Sequence, residues 1–398
     1  MNEFDTFHRD LSAYYASRCP FESLVQWLER TGPLPNREIA YALDVSKGRS
    51  YGEGVEAPTP KIVRYKSFAN AQAMREELAR LHPIKFDIGA AYAVLATECG
   101  RLGGGVFEPL ARELVFDIDM NEYDDVRHCA CKTSADSKSA VCGACWPLMT
   151  AALRITDWRL REEWDFKHVL WVFSGRRGVH CWVSDQRAQS LTVPQRKMIL
   201  SALSLATPVE SGTVVNRGET RVRLMHTRCS PAEKRCVELA KPYFIEYLTK
   251  QNLFGALARY ESLLSMLPCA KTRAELTELF ALPTPPTLSS AELAEARWRS
   301  VCEHVRADLH LPDYRNRQNV LDEIVLTHVY PRYDAQVTLS MNHLLKAPFA
   351  VHPKTRRICV PIDVERAHEF DPLSSPTLAD SLSGEFSVGD SMLALLNN

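Results

Sequence analysis

Four cysteines at positions 129, 131, 142 and 145 constrain the fold more than any other feature of the chain. Two short pairs, Cys-x-Cys and Cys-x-x-Cys, flank the connecting loop KTSADSKSAV. Four thiolates at such spacings favour tetrahedral zinc, and a site with four protein ligands is structural rather than catalytic. We therefore expect a structural zinc ion, bound by Cys129, Cys131, Cys142 and Cys145. The short first gap leaves open that His128 replaces one of the first two cysteines, and a group of unrelated core cysteines is the alternative to a metal site.

The choice between metal binding and disulfide bonding depends on the cellular compartment. The sequence begins MNEFDTFHRD, without the basic and apolar regions of a secretory signal, and it has no apolar run long enough to span a membrane. We therefore expect an intracellular soluble protein whose twelve cysteines stay reduced. Because 48 Lys and Arg residues balance 49 Asp and Glu residues, any nucleic-acid binding has to come from a local basic patch.

The hydrophobic pattern predicts a mixed α and β fold. Helical periodicity marks the first 60 residues, and it returns in NAQAMREELARLH and CWPLMTAALRITDWRLREEW. RELVFDIDM, HVLWVFS, VHCWV and RRICVPI have the β-branched and aromatic residues of strands, and a β pattern also covers the segment that begins TLSMNHLLK. Long amphipathic patterns predict a helical region late in the chain. The expected organisation is a core at 1–227 and 326–375 with a zinc module at about 128–146, a helical insertion at 228–325 and a tail at 376–398.

Two aspartates occupy one face of the predicted strand RELVFDIDM. Asp117 and Asp119 alternate with apolar residues, so their carboxylates project side by side from Cα atoms roughly 7 Å apart. Such a pair can bridge hard divalent cations through oxygen, and it is costly to leave both groups ionised without a cation. The sequence therefore indicates a metal site, with a solvated polar face as the alternative.

A turn between two predicted strands carries a second candidate site. The segment HVLWVFSGRRGVHCWV is typical of a hairpin with the turn GRRG. Glycine lets the backbone approach an anion, and two guanidinium groups can bind a triphosphate through paired hydrogen bonds. The side chains that this hairpin presents are Ser174, Arg176, Arg177 and His180. A solvated loop is the alternative, but the neighbouring aspartates favour the anion-binding half of a metal and phosphate site.

Several motifs, in order along the chain, resemble those of the catalytic small subunit of eukaryotic DNA primase, in the archaeo-eukaryotic primase superfamily. They are ELVFDIDMNEYDDVR, the cysteine segment ending CGACW, WVFSGRRGVHCWV, and NHLLKAPFAVHPKTRRICVPID with its trailing FDP, supported by IVRYKSF and FDIGA. The resemblance covers about residues 10–375. It implies a mixed-sheet catalytic core related to RNA-recognition-motif palms, with a zinc module and a helical subdomain. One departure is Cys129-Ala130-Cys131, where the family has an adjacent cysteine pair and a shorter loop.

The resemblance also implies roles for individual residues. The family's catalytic carboxylates correspond to Asp117, Asp119 and Asp334, which would bind two Mg²⁺ or Mn²⁺ ions. Its nucleotide-phosphate ligands correspond to Arg64, Ser174, Arg176, Arg177, His180, Lys346 and His352. Asp87 in FDIGA corresponds to a residue near the ribose of the incoming nucleotide.

The implied function is DNA-templated synthesis of short RNA primers from ribonucleoside triphosphates for DNA replication. The implied partners are a large iron–sulfur primase subunit, the DNA polymerase α complex, a single-stranded DNA template and the RNA primer, and the implied location is the nucleus, with no membrane contact. One alternative is a related polymerase of repair or damage tolerance, which the eukaryote-like zinc segment and helical insertion disfavour. The other is a non-catalytic zinc-bearing nucleic-acid-binding scaffold, which the three intact aspartates and the GRRG cluster disfavour.

Overall fold

The computed structural model describes residues 3–45, 59–102, 107–133, 141–208, 220–224, 229–283 and 287–396. Within them the α-helices are α1 (Glu3–Ser17), α2 (Phe21–Leu28), α3 (Ala71–Leu81), α4 (Ala130–Thr133), α5 (Trp146–Trp158), α6 (Gln186–Gln189), α7 (Val193–Leu203), α8 (Pro231–Lys250), α9 (Leu257–Ser265), α10 (Ala270–Ala281), α11 (Ser290–Asp308), α12 (Val320–Val329), α13 (Ala335–Leu339), α14 (Leu378–Ser383) and α15 (Asp390–Leu395). The strands are β1 (Arg37–Leu43), β2 (Lys61–Lys66), β3 (Lys85–Tyr92), β4 (Pro109–Ala111), β5 (Leu114–Asp119), β6 (Val169–Phe173), β7 (Gly178–Val183), β8 (Ala206–Pro208), β9 (Thr220–Val222), β10 (Leu345–Lys346) and β11 (Pro361–Ile362). The predicted mixture of helices and strands is confirmed.

Two sheets carry most of these strands. The first has the order β10-β3-β1-β2, with β4 also paired to β3. The second has the order β11-β6-β7-β5, and a two-stranded ladder joins β8 to β9. In the second sheet β6 and β7 are antiparallel, and the innermost pair, Phe173 with Val179, closes the hairpin around the GRRG turn. The hairpin predicted from the sequence is therefore confirmed.

The chain divides into two compact units. The first contains Met1–Asp117, Asp165–Leu200 and Asp334–Asn398, and the second contains Ile118–Trp164 and Ser201–Tyr333. The division passes through β5, so this one strand contributes to both units. The domain limits inferred from the sequence stay a prediction.

Aromatic rings build the core of the first unit. Tyr15 of α1 and Phe21 of α2 lie against Phe86 of β3, with ring centroids 5.9 and 6.2 Å away. Trp27 of α2 meets Trp182 of β7 edge to face at 5.5 Å. Since each buried aromatic side chain removes a large apolar area from water, these contacts fix α1 against the first sheet and α2 against both sheets.

The second unit is largely helical, as the amphipathic patterns predict. Helix α8 begins with a capping box, in which Ser230 and Glu233 satisfy each other's backbone N–H groups. Further along α8, the ring of Phe244 packs against Trp298 of α11 and His328 of α12, at centroid distances of 4.9 and 5.6 Å. Among the described residues, no helix combines the length and apolar character needed to cross a membrane.

Two expectations from the sequence differ from the structure. The first 60 residues are not all helical: β1 lies among them, because Pro33 and Pro35 interrupt the helical pattern and the following apolar run is buried on both faces. Residues 46–58 lie outside the described residues. The β pattern that begins TLSMNHLLK contains only the short strands β10 and β11, since its prolines remove backbone donors and Phe349 and Arg356 have positive φ.

Candidate active site

Strand β5 places two carboxylates on one face, as its alternation predicts. Leu114, Phe116 and Ile118 are fully buried, whereas Asp117 and Asp119 are partly exposed. Asp119 ends the strand, and its side chain accepts a hydrogen bond from the N–H of Asn121 at 3.3 Å. The buried face therefore anchors the strand in the core while both carboxylates reach solvent.

The third predicted carboxylate, Asp334, lies beside the first. The N–H of Asp334 donates to the carbonyl oxygen of Asp117 at 3.0 Å, and its side chain caps α13 by accepting from the N–H of Gln336 at 2.9 Å. One turn later, the hydroxyl of Thr338 donates to the carbonyl oxygen of Val115 at 2.8 Å. These bonds fasten α13 along β5 and bring together two aspartates that are far apart in sequence.

A buried histidine faces Asp117 from the neighbouring strand. His180 of β7 places Nε2 3.8 Å from Oδ1 of Asp117. Burial, followed by the positive charge of Lys346, lowers the pKa of His180 to about 3. The imidazole is therefore neutral at physiological pH, and it faces Asp117 as a dipole rather than as a cation.

The GRRG turn packs against the segment that follows β10. The hydroxyl of Ser174 accepts from the N–H of Gly178 at 3.0 Å, and Nζ of Lys346 donates to the carbonyl oxygen of Ser174 at 3.0 Å. Gly175 has φ of +82°, and a Cβ atom there would lie 2.7 Å from Cβ of His352. Only glycine satisfies both the backbone conformation and the close contact at this position.

Hydrogen bonds fix the tautomer of His352, the residue next to Gly175 of this turn. Its Nδ1 accepts from the N–H groups of Lys354 at 3.2 Å and Thr355 at 3.4 Å, so the ring proton resides on Nε2. Burial, and then the charges of Lys346 and Arg176, lower the pKa of His352 to about 2. The ring is thus a neutral donor in a cationic neighbourhood, an arrangement suited to an anionic ligand.

The first sheet holds the two remaining predicted residues. Asp87 of β3 is buried, pairs across the ladder with Lys346 of β10, and lies 2.9 Å from Nζ of Lys85 through its carboxylate. Arg64 of β2 donates to both carboxylate oxygens of Glu38, at 2.8 and 3.1 Å, and to the carbonyl oxygen of Asn342 at 3.0 Å. Its guanidinium is therefore held in one orientation by a buried acid.

Sequence analysis did not identify Glu38. This carboxylate is fully buried on β1, and it fits because a Cβ atom at Gly89 would lie only 2.6 Å from its Oε2. Tyr92 donates to the same oxygen at 3.3 Å. The sequence does contain a signal for Glu38, because it is an acidic residue within the apolar strand REIAYAL, and a buried charge requires a partner.

His343 is a second residue that sequence analysis did not identify. Burial and the charge of Arg112 lower its pKa, while Asp334 and Asp87 act in the opposite direction. The carboxylates of Asp334 and Asp87 therefore both influence the protonation of His343. Its place in the motif NHLLK, three residues before Lys346, was the signal in the sequence.

The four cysteines form one compact group, as predicted. Their sulfur atoms all lie within 4.8 Å of one another, and among the described residues this set, not the three aspartates, meets that criterion for a metal ion. Sγ of Cys145 is 3.7 Å from Cys131 and 3.8 Å from Cys142. Tetrahedral zinc with Zn–S bonds of about 2.3 Å places sulfurs roughly 3.8 Å apart. These two separations match a tetrahedral zinc site, whereas the sulfur atoms of Cys129 and Cys131 are closer, at 3.2 Å, and His128 is not part of the group.

Burial disfavours ionisation of these thiols unless a cation is bound. Burial, and then hydrogen bonding with Cys129 and Cys142, raise the pKa of Cys131 to about 12. Thiolates in such a site are stable only when a metal ion balances their charge. Residues 134–140 of the connecting loop lie outside the described residues.

Comparison with known proteins gives one consistent result. The family model for the DNA primase small subunit matches residues 116–364. The chain is 35% identical to the DNA primase small subunit of Schizosaccharomyces pombe, over 93% of this chain and 76% of that protein. It is 33% identical to the Drosophila melanogaster protein of the same name, over 94% of this chain and 80% of that protein, and 32% identical to the Saccharomyces cerevisiae one, over 93% and 84%.

Proposed function

This chain belongs to the DNA primase small subunit family and is a primer-synthesising nucleotidyltransferase; from that premise we propose that it joins ribonucleotides on a DNA template by two-metal-ion catalysis. The observation that carries the mechanism is the hydrogen bond between the backbones of Asp334 and Asp117, together with His180, which lies on the strand after the basic turn and faces Asp117. Carboxylates beside an anion-binding turn are what phosphoryl transfer requires.

Asp117, Asp119 and Asp334 are the proposed ligands of two Mg²⁺ or Mn²⁺ ions. Their oxygen atoms suit hard cations, and two of them project from one strand face while the third is fastened to that strand by its backbone. When bound, such ions activate the primer 3′-hydroxyl and offset charge on the leaving pyrophosphate. The protein's contribution is to hold the carboxylates on rigid elements.

The proposed triphosphate ligands are Ser174, Arg176, Arg177, His180, Lys346 and His352. The neutral state of both histidines supports this role, because each keeps one N–H to donate without a proton to lose near neutral pH. The arginines and Lys346 supply the positive charge. The arginines and Lys346 would thus neutralise the phosphates, and the two histidines would orient them.

Arg64 and Asp87 are proposed to contact the nucleotide from the first sheet. The bonds that hold Arg64 to Glu38 support a fixed guanidinium rather than a mobile one. The ladder pairing of Asp87 with Lys346, a proposed phosphate ligand, supports a position for this carboxylate near the sugar of the bound nucleotide. We propose that contacts to the 2′-hydroxyl near Asp87 favour ribonucleotides.

We also propose a structural ion and several partners for this chain. The cysteine geometry supports zinc, bound by Cys129, Cys131, Cys142 and Cys145. The family's name implies a large subunit, which we propose to be the iron–sulfur primase subunit, and we further propose association with DNA polymerase α in the nucleus. The substrates would be ribonucleoside triphosphates, single-stranded DNA and the RNA primer.

An extension assay tests the proposed activity. The purified chain is given a single-stranded DNA template with an annealed RNA primer, Mg²⁺ or Mn²⁺, and either ribonucleotides or deoxyribonucleotides. We expect template-directed addition with a preference for ribonucleotides, and loss of that preference in Asp87→Ala. Preferential use of deoxyribonucleotides would favour a repair polymerase, and no addition by the chain with its large subunit would favour a scaffold.

A further inference from the structure

We propose that Gln251 is a positioning residue for the zinc site, because its single side-chain amide joins the two halves of the cysteine group. The inference rests on the zinc ion of the proposed function. It assigns to a residue outside the metal ligands the task of holding Cys-x-Cys and Cys-x-x-Cys at the separation that the ion needs.

The amide of Gln251 makes one hydrogen bond to each half. Its Oε1 accepts from the N–H of His128 at 2.6 Å, and its Nε2 donates to the carbonyl oxygen of Ala144 at 2.6 Å. His128 immediately precedes Cys129, and Ala144 lies between the two ligands of the second pair. Gln251 therefore bridges the two segments that carry the cysteine pairs.

The position of Gln251 is itself fixed. It is the C-cap residue immediately after α8, with helical φ and ψ. The residue is only 2% exposed, and its carbonyl oxygen accepts a hydrogen bond from Arg259 at 3.3 Å. One turn earlier on α8, the hydroxyl of Tyr247 donates to the carbonyl oxygen of Val126 at 2.8 Å. Helix α8 thus holds the segment before Cys129 at two successive turns.

The chemistry of this bridge requires an amide. One partner is a backbone donor and the other is a backbone acceptor, so the bridging group has to accept and donate at once. A carboxylate can accept from His128 but cannot donate to Ala144, and an apolar side chain does neither. Groups that hold metal ligands in place through hydrogen bonds lower the cost of ordering the site, and their loss typically weakens metal binding about 10- to 100-fold.

The rate of zinc release tests the proposal. The full chain is mixed with excess chromogenic chelator, and zinc transfer is followed for wild type, Gln251→Leu and Gln251→Glu, after the zinc content of each has been measured. We expect release to be about 10- to 100-fold faster in Gln251→Leu, and faster than wild type in Gln251→Glu, which retains the acceptor alone. Gln251→Glu is nearly isosteric, so it provides the measurement if Gln251→Leu fails to fold.

A matched control comes from the same compact unit. Gln318 also donates through its amide, to the carbonyl oxygens of Leu309 at 3.1 Å and Tyr314 at 2.9 Å, and neither residue belongs to the segment that carries the four cysteines. Gln318→Leu should release zinc at the wild-type rate. Equal rates in wild type and both Gln251 variants, or equal acceleration in Gln318→Leu, would overturn the proposal. If the purified wild-type chain contained no zinc, both this proposal and the zinc assignment would be wrong. That result would not bear on primer synthesis, which the extension assay tests separately.

Discussion

At the scale of single residues, the carboxylates of β5 carry the proposed chemistry. Asp117→Asn and Asp119→Asn should each lower nucleotide addition by at least about 100-fold, because each removes an anionic ligand for a hard cation. The free energy of unfolding should stay the same or rise, since neutralising one carboxylate relieves repulsion with its neighbour. Primer extension and urea unfolding measure the two effects.

Asp313→Asn is the matched control for these variants, because Asp313 is an exposed aspartate of the helical unit. It should leave both extension and unfolding unchanged. Near wild-type extension by either β5 variant would show that the carboxylates are not metal ligands.

His352 provides a residue-scale prediction about nucleotide binding. In His352→Asn the side-chain oxygen can still accept from Lys354 and Thr355, but the Nε2 donor is lost. We expect KM for ribonucleotides to rise by about 10-fold or more, with a smaller change in kcat, since a hydrogen bond to a charged group contributes about 1.5–3 kcal/mol. Because the pKa of His352 is about 2, its ring stays neutral between pH 6 and 9. Its contribution to the ribonucleotide KM of the wild type should therefore not vary over that range. A titration of KM near pH 6.5 that disappears in the variant would contradict this account.

At the scale of elements, the turn between β6 and β7 depends on one glycine. Gly175→Ala places a side chain in the left-handed region, which costs about 1 kcal/mol or more, and brings its Cβ to 2.7 Å from Cβ of His352. The turn and the segment after β10 should separate, so ribonucleotide KM should rise and thermal stability should fall. Gly389→Ala is the control, because a Cβ atom there meets nothing within 4 Å. An unchanged KM in Gly175→Ala would show that the turn does not position the phosphates.

The elements that sequence could predict are those with regular local patterns. Strands β5, β6 and β7 and helices α8 and α11 follow their hydrophobic periods, because each buries one face or is buried throughout. The segment between β10 and β11 could not be predicted in this way, since residues such as Phe349 with positive φ are held by contacts from distant parts of the chain.

The candidate site shows the same limit. The cysteine group and the aspartate pair are evident from local spacing. Glu38 was missed because its partner Arg64 lies 26 residues away, and its space depends on a glycine in a third strand. The neutral state of His180 also depends on burial, which no local pattern reveals.

At the scale of the whole molecule, buried histidines predict how stability depends on pH. Burial lowers the pKa of His180 to about 3 and of His328 to about 4, whereas an unfolded histidine titrates near 6.5. Below about pH 6.5 the unfolded chain therefore binds protons that the folded chain does not. The free energy of unfolding should fall by about 1.4 kcal/mol per pH unit for each such histidine as pH decreases toward 4.

His328→Gln isolates one of these contributions. Urea unfolding at pH 6 and pH 5 should show a slope about 1 kcal/mol per pH unit smaller in the variant than in wild type. The mutation also removes the bond from Nδ1 to the carbonyl oxygen of Ile324 at 2.7 Å, which lowers stability equally at both pH values. Equal slopes in the two proteins would mean that His328 titrates normally in the folded chain.

Primer synthesis itself tests the central claim most directly. The described residues offer one cluster that suits a triphosphate, yet the first phosphodiester bond requires two nucleotides held at once. On one single-stranded DNA template with ribonucleotides, the chain alone should extend an annealed RNA primer but start new chains poorly, and the large subunit should increase initiation far more than extension. Asp117→Asn should lower both activities by at least about 100-fold. Efficient extension by Asp117→Asn, or no ribonucleotide incorporation by the wild-type pair, would contradict the account.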